Sequence, residues 1–199
     1  MRELPRRLWH ILGGLSLAIA GLLLPRQIFL PALCSVTIAF LIFELIRLRF
    51  PQLNCRFVTC FRALIREREA STLTASVYLL IAASIVFIVC DKSIAAMAVM
   101  FVAIGDPAAG MARDKWKLAR DWGRTKLKGK SLEGSGACLL ACLVAGVILA
   151  AIIHVALWLV AIGAICATLV EFFSLPLNDN LTMPLASAGA MSLIGLVGL

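Results

Sequence analysis

Four groups of polar residues stand at the edges of long apolar runs, where a passive membrane anchor has no need of them. The first is Asp106, in Ala-Ile-Gly-Asp-Pro-Ala-Ala-Gly. Pro107 removes a backbone donor and is expected to open the helix there. Gly105, Ala108, Ala109 and Gly110 let a ligand or another helix come close. A carboxylate in such a setting is costly and is a functional candidate by default; the plain alternative is a helix-end aspartate in water. The second group is Glu171-Phe-Phe-Ser-Leu-Pro-Leu-Asn-Asp-Asn. Glu171 belongs to the last turn of an apolar helix, and Asp179 and Asn180 follow after a short turn. These oxygen-bearing side chains beside Asp106 would suit Mg²⁺, which keeps several waters while bridging phosphates. Asn178 serves equally well as a polar cap of the next helix.

The third group is basic. Arg124, Lys126, Lys128 and Lys130 could neutralise a triphosphate, with Gly129 and Gly134 allowing close backbone approach. Gly129-Lys130-Ser131 imitates the end of a P-loop, but the preceding glycine, Gly123, is one residue too far away and no strand leads in. An ordinary basic loop accounts for most of these charges; Lys130 and Glu133, embedded in a Gly/Ser string, stand out from it. In the fourth group Arg6 and His10 share a helical face, with Arg7 beside them. His10 could orient a phosphate or relay a proton, or simply sit at an interface. Glu44 and Arg47 likewise share a face, as a polar site or a structural ion pair. His154 and the Asp91–Lys92 pair have no polar company and are assigned no chemistry.

The elements that must position these groups follow from hydropathy. The chain has 199 residues, 62% of them hydrophobic, and a mean hydropathy of +0.99. A soluble core of this size cannot bury so much apolar surface, so an all-α integral membrane protein is expected, with residues 1–199 as a single domain. Seven segments are long enough to span if tilt is allowed: Leu8–Leu24, Ile28–Leu48, Leu73–Cys90, Ile94–Ala112, Ala137–Ile153, Val155–Phe173 and Leu181–Leu199. The fifth and sixth form one continuous apolar stretch, divided at His154 because it is too long for one helix. The first reads as a retained span and not a removed signal. Between the second and third, Leu53, Phe57, Phe61 and Leu64 recur at helical spacing among arginines, the pattern of an amphipathic helix lying on the membrane surface.

Every Lys and Arg except Arg26 and Lys92 falls at the N-terminus, at the end of span two (Arg47) or in the loops after spans two and four. That asymmetry puts the N-terminus and these loops in the cytoplasm. The net charge of +8 then belongs to one face, suited to anionic headgroups or a nucleotide, with nothing that asks for nucleic acid. The seven cysteines form no CxxC or metal-like spacing and read as small packing residues.

Taken in order, Arg-Arg-Leu-Trp-His, Glu44 with Arg47, Gly-Asp-Pro-Ala-Ala, Gly-Lys-Ser-Leu-Glu-Gly-Ser, Glu171 and Asn-Asp-Asn-Leu-Thr-Met-Pro-Leu resemble the membrane polyprenol/diacylglycerol/phytol kinase family. That family includes dolichol kinase and is related to phosphatidate cytidylyltransferases. The resemblance runs over the whole chain and implies Mg²⁺-dependent phosphoryl transfer from CTP, or another nucleoside triphosphate, to a lipid alcohol; the charge asymmetry would set that site on the cytoplasmic face of a plasma-type membrane. It maps Asp106, Lys130, Glu133, Glu171, Asp179 and Asn180 onto the nucleotide–metal site. Asp106, Glu171 and Asp179 would hold the metal. Arg124, Lys126, Lys130, Ser131, Glu133 and Asn180 would contact the nucleotide, and Asp106, Asp179 and His10 would serve the chemistry. Asn178 departs from the family, whose members often carry Asp there, and the stretch from Asp106 to Gly123 is long and very basic. The cytidylyltransferases usually carry a C-terminal His-Gly-Gly and Asp-Arg signature; after Asn180 this chain reads Leu-Thr-Met-Pro-Leu. A transporter or lipid-binding protein would place its carboxylates near the membrane midplane, whereas here the far half of each span lacks charge.

Overall fold

The computed structural model describes residues 3–119, 131–173 and 177–197. Those residues form eight α-helices and one short 3₁₀ turn, with no strand among them. The order is α1 (Leu4–Leu23), α2 (Arg26–Arg49), α3 (Pro51–Cys60), the 3₁₀ turn (Glu67–Ala70), α4 (Ala75–Val89), α5 (Lys92–Ala119), α6 (Leu132–Ile153), α7 (Leu157–Phe173) and α8 (Asp179–Val197). All but α3 coincide with the seven apolar segments. Three of them, α2, the Lys92–Lys115 part of α5, and α6, are long and apolar enough to cross a membrane. Helices α4 and α7 are as apolar but shorter, at 15 and 17 residues.

Helix α5 is the axis of the bundle, packing on α1, α4, α6, α7 and α8. Its residues Ala95–Ala103 are buried on every side, as expected of a helix apolar all round. Pro107 does not open it: α5 runs unbroken past the proline to Ala119. Five packed neighbours outweigh the single lost backbone bond, a usual tolerance for proline within a helical bundle. The helix also outruns the apolar segment that ends at Ala112, because Arg113 and Asp114 find partners on α7 and α1. The division at His154 holds for a backbone reason: His154 adopts φ 56°, ψ 42°, a left-handed residue that ends α6.

Small residues set the close crossings. A Cβ built on Gly14 would stand 2.4 Å from the Ala103 Cβ, and one on Gly105 would stand 2.7 Å from the Cys142 Sγ. Cys138 and Cys142 are buried as packing residues, whereas Cys55 and Cys60 are exposed on α3. Gly14→Ala is therefore expected to push α1 off α5 and cost about 1–3 kcal/mol. Gly13, where an added Cβ would meet nothing within 4 Å, should accept alanine. Thermal unfolding of the two variants in detergent checks the contrast.

Large apolar side chains face outward over much of the length, among them Leu12, Ile19, Ile38, Leu140, Ile148, Ile152 and Leu193. Apolar exposure of this extent is compatible with insertion into a bilayer.

Candidate functional site

At one end of the bundle the N-terminus of α1, the C-terminal half of α2, the segment 51–76, the middle of α5 and the start of α8 enclose a cavity of about 850 Å³. One part of its wall is apolar. Phe40 and Phe43 on α2 continue through Phe57 and Phe61 of the next segment as a ladder of rings with centroid separations of 4.9–6.3 Å. Trp9, Leu64 and Ile65 extend it. Helix α3 forms over the first part of the amphipathic pattern and ends at Cys60, so Leu53 and Phe57 lie on it while Phe61 and Leu64 follow in a turn; Phe57, Phe61 and Leu64 all line the cavity.

The other part of the wall is charged. Asp106 lines it with a side chain 16% exposed, and its Oδ2 lies 4.0 Å from the Arg66 Nη2. Arg6, Arg7 and His10 reach in from α1, with the His10 Nε2 3.3 Å from the Val102 carbonyl oxygen of α5. Arg7 is paired with Asp114 at 2.5 Å, and Arg6 with Glu3. Burial, and then the neighbouring Arg66, hold the Arg6 guanidinium below its ordinary value; Glu3, Asp106 and Glu69 pull the other way.

A buried polar network holds the arginine-bearing segment in place. Arg47, fully buried, donates from Nη2 to Glu44 at 2.7 Å, to the Glu69 carbonyl at 3.1 Å and to the Thr72 carbonyl at 2.9 Å. Its Nη1 donates to Asn54 at 2.7 Å, and Asn54 donates onward to the Ala70 carbonyl. Glu44 also accepts from the Thr74 backbone N–H and hydroxyl. Glu44–Arg47 is thus an ion pair, built into a larger network. Glu69 accepts the Arg66 backbone N–H at 3.1 Å, which fixes where the Arg66 side chain starts.

The sequence-predicted residues divide. Asp106, His10 and Asn180 line the cavity. Asn180 is buried; its amide donates to the Ala75 carbonyl at 3.2 Å, and among the described residues its Oδ1 has no hydrogen-bond partner. Asp179 opens α8 next to it. Glu171 is fully buried with both oxygens engaged, Oε1 by Arg113 at 2.5 Å and Oε2 by the Ser135 hydroxyl at 2.7 Å. Ser131 caps α6, its hydroxyl oxygen accepting the Gly134 N–H at 3.1 Å, and Glu133 is exposed in the first turn. Neither is among the residues lining the cavity. Arg124, Lys126, Lys128 and Lys130 lie outside the described residues.

Among the described residues no three His, Cys, Asp or Glu side chains converge as metal ligands. Mg²⁺ fits in a reduced form only, through Asp106 facing the cavity, since this ion often takes one or two carboxylates and completes its shell with water and phosphate. Residues that sequence reasoning counts only as charges, Arg66 and Arg113, prove to be part of the site; their partners lie 40 and 58 positions away, beyond any local pattern. No protein-family model, curated protein or solved structure matches this chain.

Proposed function

We propose that the chain is a membrane lipid kinase, transferring the γ-phosphoryl group of CTP, or another nucleoside triphosphate, to a lipid alcohol. The observation that carries this reading is the two-part cavity: an aromatic wall beside a charged one of four arginines and four carboxylates, Asp106 among them. An amphipathic acceptor needs the first for its chain, and a phosphoryl donor needs the second. In this reading the seven apolar helices all cross or enter the bilayer, with α4 and α7 accommodated by local thinning, and the basic end of the bundle faces the cytoplasm.

The acceptor lies with its chain along Phe40, Phe43, Phe57 and Phe61 and its hydroxyl toward Asp106. The hydroxyl oxygen forms a bond to the γ-phosphorus while the bond to the β-phosphate oxygen breaks and the nucleoside diphosphate leaves. Asp106 accepts the hydroxyl proton, or Asp179 does so while Asp106 holds the metal. Mg²⁺, when bound at Asp106, supplies neutralisation of phosphate charge. His10 orients the phosphates from α1, and Arg124, Lys126 and Lys130 hold the donor from the basic loop. Asn180 offers its free amide oxygen to the nucleotide. Glu171 stands apart as the anchor of Arg113 and Ser135. Such a transfer is chiefly positioning and charge neutralisation, which the residues at hand can supply.

The test uses purified protein in detergent with Mg²⁺, a pool of lipid alcohols and phosphatidate, and CTP labelled at the α- or the γ-phosphate. Label from the γ position is expected in lipid. Label from the α position would make the protein a cytidylyltransferase and overturn the kinase reading; transfer of neither label, from CTP or from ATP, would overturn both.

A further inference from the structure

We propose that Arg66 and Arg6 form an anion site on the cavity wall that takes a phosphate group, with Arg66 turning from Asp106 to the phosphate oxygens. The arrangement of the cavity arginines is the starting point. Arg7 and Arg113 each contact a carboxylate at 2.5 Å, and Arg6 is paired as closely with Glu3, whose side chain is about half exposed. Arg66 differs: among the described residues its guanidinium reaches no carboxylate at hydrogen-bond length, and the nearest carboxylate oxygen, on Asp106, is 4.0 Å away. A charge-assisted bond would close to under 3 Å, about 2.7–2.9 Å. Arg66 is therefore held near Asp106 without being consumed by it, and it keeps about a third of its side chain open.

Two further observations point to an anion. Arg6 and Arg66 line the same cavity, and the Arg66 charge is one of the causes that hold the Arg6 guanidinium below its ordinary value. Asp106 already offsets part of that repulsion; a phosphate taken up by both guanidiniums at hydrogen-bond length would offset more of it. The second is the network behind Arg66. Burying Glu44, Arg47 and Glu69 is costly unless each group is well paired, and a plain connecting loop needs none of them. Their shared effect is to pin residues 66–74: Arg47 holds the carbonyls of Glu69 and Thr72, and Glu69 holds the Arg66 backbone. The planar fork of arginine suits phosphate better than an ammonium would.

This deepens the kinase reading and rests on it only for the source of the phosphate. The shared chemistry is a phosphate group with its oxygens exposed, carried by a nucleotide or by a lipid headgroup. The test is equilibrium binding, by calorimetry, of inorganic pyrophosphate, CTP and a short-chain phosphatidate to the full-length protein in detergent. Arg66→Gln and Arg6→Gln are each expected to weaken phosphate binding roughly ten- to a hundred-fold, the usual effect of losing charge-assisted bonds. Arg49→Gln, an exposed charge at the end of α2 outside the cavity, should change it less than about two-fold, the share owed to screened surface charge. Arg66→Gln leaves the backbone contact to Glu69 in place; Arg66→Lys, gentler still, should show a several-fold loss and serves where the first is not recovered folded.

Loss with pyrophosphate and CTP supports the site and assigns it to the nucleotide. Loss confined to phosphatidate supports the site but assigns it to a lipid headgroup, and counts against the kinase. Absence of binding by the unmodified protein, or equal losses in the Arg66 and Arg49 variants, overturns it.

Discussion

Asp106→Asn is expected to abolish lipid phosphorylation while leaving folded protein in the membrane. The substitution keeps volume and one carbonyl oxygen, and among the described residues the cation nearest Asp106, on Arg66, is 4.0 Å away. What goes is the charge. A neutral amide neither accepts the hydroxyl proton nor holds a divalent cation, and it leaves Arg6 and Arg66 with less to offset their repulsion. Removing a proton acceptor alone costs about 10²–10⁴ in rate, and if Asp106 holds Mg²⁺ as proposed, loss of that ligand would add to it. The measurement is turnover of γ-labelled CTP beside the thermal midpoint of the same preparation. Turnover within a few-fold of the unmodified protein, at an unchanged midpoint, would remove Asp106 from the chemistry.

The same residue shows what a sequence exposes and what it hides. Asp106 is legible because the cost of a carboxylate among small residues in an apolar run is local and can be read at once. The helices are legible for a like reason: long apolar runs are set off by polar stretches, some as short as Asp91-Lys92 and others as long as the arginine-rich segment before Leu73, and the break at His154 is forced by length. Pairings are not legible. Glu171 resembles a metal ligand since an isolated carboxylate in an apolar helix asks for a cation, and nothing local says that the cation is Arg113, 58 residues earlier. Pro107 misleads in the opposite direction. Its local cost is real, but the five helices packed on α5 decide the outcome. The aromatic ladder lies between these cases: the helical spacing of Phe57 and Phe61 is plain, whereas their contact with Phe43 on α2 depends on how the segment folds back.

Arg47→Met should be the most destabilising single change in the molecule's polar framework. Arg47 is fully buried and its guanidinium lies 4.7 Å from the centre of the Phe57 ring, with four hydrogen bonds to α2, α3 and the 3₁₀ segment. Methionine fills part of the volume but strands the Glu44 carboxylate, which is equally buried, and the carbonyls of Glu69 and Thr72. Breaking a buried pair from one side typically costs about 3–5 kcal/mol. The double variant Glu44→Met/Arg47→Met is expected to lose less than the single one, because no unpaired charge remains, although the Thr74 N–H and hydroxyl forfeit their acceptor. The damage should begin in residues 51–74, where tryptic cleavage at Arg62, Arg66 and Arg68 should accelerate well before the helices unfold. Thermal midpoints of the single and double variants, with the order of tryptic fragments, check both claims. A loss of less than about 1 kcal/mol for Arg47→Met, of the size expected for an exposed pair, would mean that the network does not pin this segment. The position of Arg66 opposite Asp106 would then need another cause.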